Sequence, residues 1–106
     1  MRELQAIGEQ DVVRAFARNG VVLRKFTSTG KAAQYTFALP GLIPALVVTV
    51  YPDAKTARHA SPALTINGRR VQSLLTSNVR VWVAHGVPSA VRRRIAKSVA
   101  ILKQSS

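Results

Sequence analysis

Hydrophobic and polar positions alternate most clearly in the last third of the chain. Val79, Val81 and Val83 interleave with Arg80, Trp82 and Ala84, the period of a strand with one buried face. His85 to Ser89 breaks that period. Ala90 to Lys103 then repeats apolar residues at helical spacing: Val91, Ile95, Val99 and Leu102 share one narrow stripe. The stripe is expected to dock on the valine face of the preceding strand. Arg93, Arg94 and Lys97 fall opposite it, and Arg92 and Lys103 flank it.

The earlier chain follows the same logic. Residues 1–8 carry no periodic pattern and read as a frayed lead-in. Glu9, Gln10 and Asp11 open a helix whose apolar stripe is Val12, Ala15 and Phe16. Asn19-Gly20 ends it, because glycine suits the left-handed position after a helix. Val21 to Thr27 is β-rich and predicts a first strand. Ser28 to Lys31 is a turn, and Gln34 to Leu39 alternates as a second strand, giving a hairpin. Residues Pro40 to Pro44 predict a loop with an apolar tip. Ala45 to Tyr51 is almost wholly apolar, which predicts a central strand covered on both faces.

Asp53 is placed to cap a short helix over Ala54 to Ala60, ended by Ser61-Pro62. Asn67-Gly68 signals a two-residue hairpin between Leu64–Ile66 and Arg69–Gln72. Leu74-Leu75 fits a strand end or a helical turn. The expected fold is α+β: a mostly antiparallel sheet of four to six strands with two or three helices packed on one face. The order is α-β-β-β-α-(β-β)-β-α, in a single domain spanning residues 1–106.

Charge changes this picture more than composition does. Sixteen Lys and Arg stand against four acids, a net charge of +12. No acidic residue follows Asp53, whereas ten basic residues do. Such a surface attracts phosphates and repels itself without a polyanion nearby. The three consecutive arginines, Arg92, Arg93 and Arg94, sit where a helix start also offers free N–H groups, a favourable place for an anion. Arg80 and Trp82 share one strand face, which fits either a base-stacking platform or a core position with a cation–π pair. Lys31 in the first hairpin turn, and Arg69 and Arg70 after Asn67-Gly68, are further candidate phosphate contacts.

Catalytic chemistry finds little support. Thr29-Gly30-Lys31 resembles part of a phosphate-binding loop, but Lys25 and Ala32 occupy positions that need glycine and Ser or Thr. His59 and His85 are the two histidines, and no carboxylate follows Asp53 to complete a metal or triad set with His85. No Gly-x-Ser-x-Gly elbow occurs. No cysteine is available for a disulfide or a thiolate metal site. No catalytic residue, metal or cofactor is therefore expected, and the chain is not read as an enzyme. The Phe37 to Tyr51 stretch is broken by Pro40, Gly41 and Pro44 and cannot span a bilayer. No secretory signal is read at the N-terminus, so a cytoplasmic location is expected.

The order of a first helix, three strands and a basic final helix resembles the double-stranded RNA-binding domain, with Asp11–Gly20 and Arg92-Arg93-Arg94 as the matching parts. That resemblance implies phosphate contacts from the last helix across an RNA groove. The Asp53–Asn78 segment is additional to it. Asp11 to Leu23 is also similar to small hairpin–helix ribonuclease toxins, whose catalytic histidine after the first strand is absent here. The leading expectation is a module that grips RNA or DNA backbone without sequence specificity. The alternative is a protein-interaction subunit with an acidic partner or a second copy, with Leu42, Ile43 and Ile101 as contact residues.

Overall fold

The computed structural model describes residues 6–29 and 32–105. Its elements in chain order are α1 (Glu9–Ala17), β1 (Arg24–Thr29), β2 (Ala32–Leu39), β3 (Leu42–Val50), α2 (Ala54–His59), β4 (Ala63–Ile66), β5 (Arg69–Gln72), β6 (Leu74–Thr76), β7 (Val79–Val83) and α3 (Ser89–Ser105). A five-stranded antiparallel sheet runs in the order β1-β2-β3-β7-β6, and β4-β5 form a separate hairpin. The α+β class and the mostly antiparallel sheet agree with the hydrophobic pattern.

The register fixes which side chains share a face. Tyr35, Val48 and Val81 form one row across three strands, and Thr36, Val47 and Trp82 form the next. Cross-strand partners point the same way, and successive rows alternate. On the first side Tyr35 reaches α1, and α1 packs in turn against α3. Phe16, Val12, Ile95, Val99 and Leu102 are all buried there in the main core. On the second side Arg80 and Trp82 reach α2 and the segment leading into β4. The two long helices thus cover one face, while short α2 and the β4–β5 hairpin cover part of the other. Strand β3 lies between these layers, so Ala45 through Val50 are buried without alternation.

Local signals explain the element ends. Gly20 has φ +78°; its N–H bonds Ala17 O at 3.0 Å, and Val21 N–H bonds Phe16 O at 2.9 Å. This is the Schellman arrangement, closed by contact between apolar residues on either side of the turn. Asn67 and Gly68 both take positive φ, 52° and 76°, as a type I′ hairpin turn requires. Asp53 accepts the Thr56 N–H at 2.7 Å and caps α2.

Two expectations about strands and loops are corrected. Val21 to Leu23 are not strand: β1 starts at Arg24, and Val21 and Leu23 are buried in the connector that follows α1. Their β-propensity reflects burial rather than pairing. The apolar loop is reduced to a Pro40–Gly41 turn, because Leu42 already pairs with Leu39. Most of the 1–8 lead-in lies outside the described residues, but within it Ile7 is held: its N–H donates to Asn78 Oδ1 at 2.7 Å and its carbonyl accepts from Asn78 Nδ2 at 2.9 Å. Asn78 Nδ2 also donates to Tyr51 O at 2.8 Å. A fully buried Asn satisfied in this way holds Ile7 to the end of β3.

Candidate nucleic-acid interface

Helices α1 and α3 run in opposite senses across the sheet. Asn19 Nδ2 donates to Ser98 Oγ at 3.2 Å, and Ser98 Oγ donates back along α3 to Arg94 O at 2.9 Å. A Cβ on Gly20 would lie 3.6 Å from Arg94 Nη1. The Arg94 guanidinium therefore sits beside the carbonyl end of α1, the negative end of that helix. Further along, Asp11, Arg14, Ala15 and Arg18 of α1 line a shallow groove with Ile101 of α3. Ile101 packs partly into the core and forms the groove floor rather than a free contact.

Lys97 is one turn before Ile101, and Arg94 two turns before it, so both follow the α3 side of the groove. Arg14 and Arg18 follow the α1 side. Two cations thus line the groove, two more stand on the α3 row that meets it, and Arg93 is exposed on the next row. Arg14 pairs with Asp11 at 3.3 Å, with both side chains largely exposed. Such a pair contributes little to stability. Arg18, Arg93, Arg94 and Lys97 pair with no carboxylate among the described residues. Arg14 and Arg18 enter this interface only through the fold; in the sequence they are an ordinary solvated helix face.

The candidate residues separate into distinct groups. Arg92 does not join Arg93 and Arg94. Its Nε donates to Val87 O at 3.0 Å and its Nη2 to Ala84 O at 3.1 Å, which ties down the β7–α3 connection. Because Arg92 turns back and Arg94 turns to α1, the three arginines do not converge on the α3 N-terminus.

Arg80 and Trp82 are removed from the surface altogether. They are 6% and 4% exposed. Arg80 donates to Ala57 O at 2.9 Å, to Ser73 Oγ at 2.7 Å and to Arg58 O at 3.5 Å, and so satisfies the last carbonyls of α2. Trp82 Nε1 donates to Pro62 O at 3.2 Å. Of the two expectations for this pair, the burial agrees with the core position and not with the stacking platform: both side chains lie beneath α2 and the β4 lead-in. Arg69 and Arg70 are exposed, but on the hairpin that lies on the Trp82 side of the sheet. Lys31 lies outside the described residues.

The exposed aromatic is Phe26, 69% exposed at an irregularity in β1 between Lys25 and Thr27. Its position was hidden because an uninterrupted strand would have turned it to one face or the other. On the helix side, Glu9 Oε1 accepts from Tyr35 Oη at 2.6 Å and faces Lys25 Nζ at 3.4 Å. The Tyr35 hydrogen bond holds the Glu9 carboxyl below its usual range, and Lys25 acts in the same direction. Burial, aided by the Glu9 charge, pushes Tyr35 up to about 12. Burial also raises Tyr51, against the nearby Arg80 charge.

Each histidine meets a backbone carbonyl: His59 Nδ1 is 2.8 Å from Lys55 O, and His85 Nε2 is 3.4 Å from Arg70 O. Among the described residues no three of His, Asp and Glu come together as a metal-binding group. No described helix is long and apolar enough to cross a membrane. Strands β7 and β6 extend the sheet beyond β3, so the resemblance to a three-stranded RNA-binding domain stops at element order. No family model, curated protein or solved structure matches the chain at a significant level.

Proposed function

We propose that this protein binds the phosphate backbone of duplex or structured nucleic acid through the α1–α3 layer. The observation that carries the reading is the groove lined by Arg14, Arg18 and Ile101 with one acid, Asp11, continued by Arg94 and Lys97 on the Ile101 row of α3. Arg93 extends the same surface. Cations arranged along two helices suit a row of phosphates better than a single small anion. Cations spread along two helices engage phosphates, which carry no sequence information, so the proposed binding is sequence-independent. The proposed setting is cytoplasmic, and the proposed role is that of a binding module rather than an enzyme.

A salt titration with mixed-sequence RNA and DNA duplexes tests this. Four phosphate contacts correspond to a slope of log K against log salt of roughly −3 to −4 for duplex DNA. A slope near zero, or no binding at low salt, rejects the reading.

A second reading, association through a sheet edge, is favoured by one observation: Val22 and Phe26 are exposed at the outer strand β1 and its lead-in. Arg24 and Lys25 on that strand oppose pairing with a second copy and favour an acidic partner. Phe26→Ser separates the readings. It should leave duplex binding intact if the helical layer is the site.

A further inference from the structure

The helical groove accounts for only part of the basic surface. Arg24 lies in the cross-strand row of Thr36, Val47 and Trp82, on the side of the sheet away from α1 and α3. Lys55 and Arg58 are exposed on α2, which covers that same side. Arg80 draws the Ala57 and Arg58 carbonyls inward while the Arg58 side chain remains outside. On β5, Val71 turns inward opposite Leu64, and its neighbour Arg70 faces out opposite Thr65. Arg69, opposite buried Ile66, starts on the other hairpin face from Arg70 but is exposed beside the β4–β5 turn, next to His85 and Gly86. These five cations pair with no carboxylate among the described residues. The acid nearest to them in the chain, Asp53, caps α2.

The two basic sides act independently. The smallest principal extent of the chain is 20 Å, whereas charges at physiological ionic strength are screened over about 8 Å. Phosphates on the helical side therefore leave the opposite cations unneutralised. A single duplex cannot easily serve both sides, because its persistence length is about 50 nm and the longest extent of the chain is 45 Å.

From this we infer that the chain bridges two nucleic-acid segments, the second held by Arg24, Lys55, Arg58, Arg69 and Arg70. The inference rests on the reading that the α1–α3 side binds the first. It assigns the protein a capacity to bring duplexes together, beyond simple coating of one.

The test uses the full chain, one immobilised duplex and one labelled free duplex at moderate salt, with protein below saturation. Retention of protein reports the first contact, and capture of the labelled duplex reports bridging. Wild type should do both. The variant with Lys55, Arg58, Arg69 and Arg70 changed to Gln should still be retained but should lose most capture. The milder Arg58→Gln, Arg70→Gln pair should lose part of it, and melting curves confirm that each variant is folded. A variant with Arg14, Arg18, Arg94 and Lys97 changed to Gln should also fail to capture, and mixing it with the first variant should not restore bridging. Retention without capture by wild type overturns the inference and leaves the groove reading standing. Full capture by the folded Lys55, Arg58, Arg69, Arg70 variant overturns it too, since bridging would then run through paired copies. No retention of wild type overturns both.

Discussion

The two sides of the sheet are built by different physics, and arginine shows the contrast best. On the helical side, apolar contacts dock the elements. Ile95, Val99 and Leu102 lie in one core cluster with Phe16, Val12 and the sheet valines, so Arg18, Arg93, Arg94 and Lys97 are left without a carboxylate for solvent or a partner. On the opposite side the covering elements are short and small. Alanine, Ala57, is the buried residue of α2, and polar bonds from Arg80 and Trp82 to backbone carbonyls do much of the holding. An arginine there is structural because the layer above it presents unsatisfied carbonyls. Arg93 in α3 is free of such bonds because α3 is already held by its other face.

This contrast breaks most visibly if the helical layer is not docked through its stripe. Leu102→Ala or Ile95→Ala should cost about 2–5 kcal/mol, as cavities in packed cores do. Chemical denaturation measures it. A loss below about 0.5 kcal/mol at both sites would mean that α3 is not held as described.

Arg80→Ala comes next. It removes three hydrogen bonds, to Ala57 O, Arg58 O and Ser73 Oγ, and a buried aliphatic stem, for an expected loss of about 2–3 kcal/mol. Arg93→Ala, the same change on the other side, should stay within about 0.5 kcal/mol. Equal losses in the same denaturation experiment would erase the distinction between structural and free arginine. Protection of the α2 amides in hydrogen exchange sharpens it, since only the Arg80 variant should expose them.

Much of the layout was legible in the chain. Gly20, Asp53 and Asn67-Gly68 act over a few residues, so their roles follow from local backbone chemistry. The stripe of α3 and the burial of β3 follow from periodicity. What could not be read was long-range. Asn78 bonds Ile7 from 71 positions away, and nothing near either residue signals it. Arg80 and Trp82 alternate with valines as a solvent-facing row would, because periodicity separates two faces without saying what covers each. Arg14 and Arg18 joined the interface only once α1 was seen antiparallel to α3. Arg92 left it because the loop before α3 needed a donor for two carbonyls.

A smaller effect concerns pH. Tyr35→Phe removes the hydrogen bond to Glu9 and should cost about 1 kcal/mol near neutrality. Glu9 has a lowered carboxyl pKa in the folded state. Its contribution is therefore present above the ordinary carboxylate range and fades as pH falls through the lowered folded value. Tyr35 is raised to about 12. Its contribution is therefore full below its ordinary value near 10 and is lost between there and about 12. Wild type and variant should converge at both extremes in thermal melts. A difference that stays constant across pH would show that the Glu9–Tyr35 bond does not stabilise the α1 contact.

The most direct test of the central claim compares two variants of equal charge. One changes Arg14, Arg18, Arg94 and Lys97 to Gln on the helical side. The other changes Lys55, Arg58, Arg69 and Arg70 to Gln on the opposite side. Affinity for a single short duplex is measured across a salt series. The groove account predicts that the first variant loses the larger share of its affinity, the remainder being held by the opposite side, and that its slope flattens more than that of the second. The second should keep most of the wild-type slope. Equal flattening in both would contradict the account, because total charge rather than the α1–α3 groove would then be what binds.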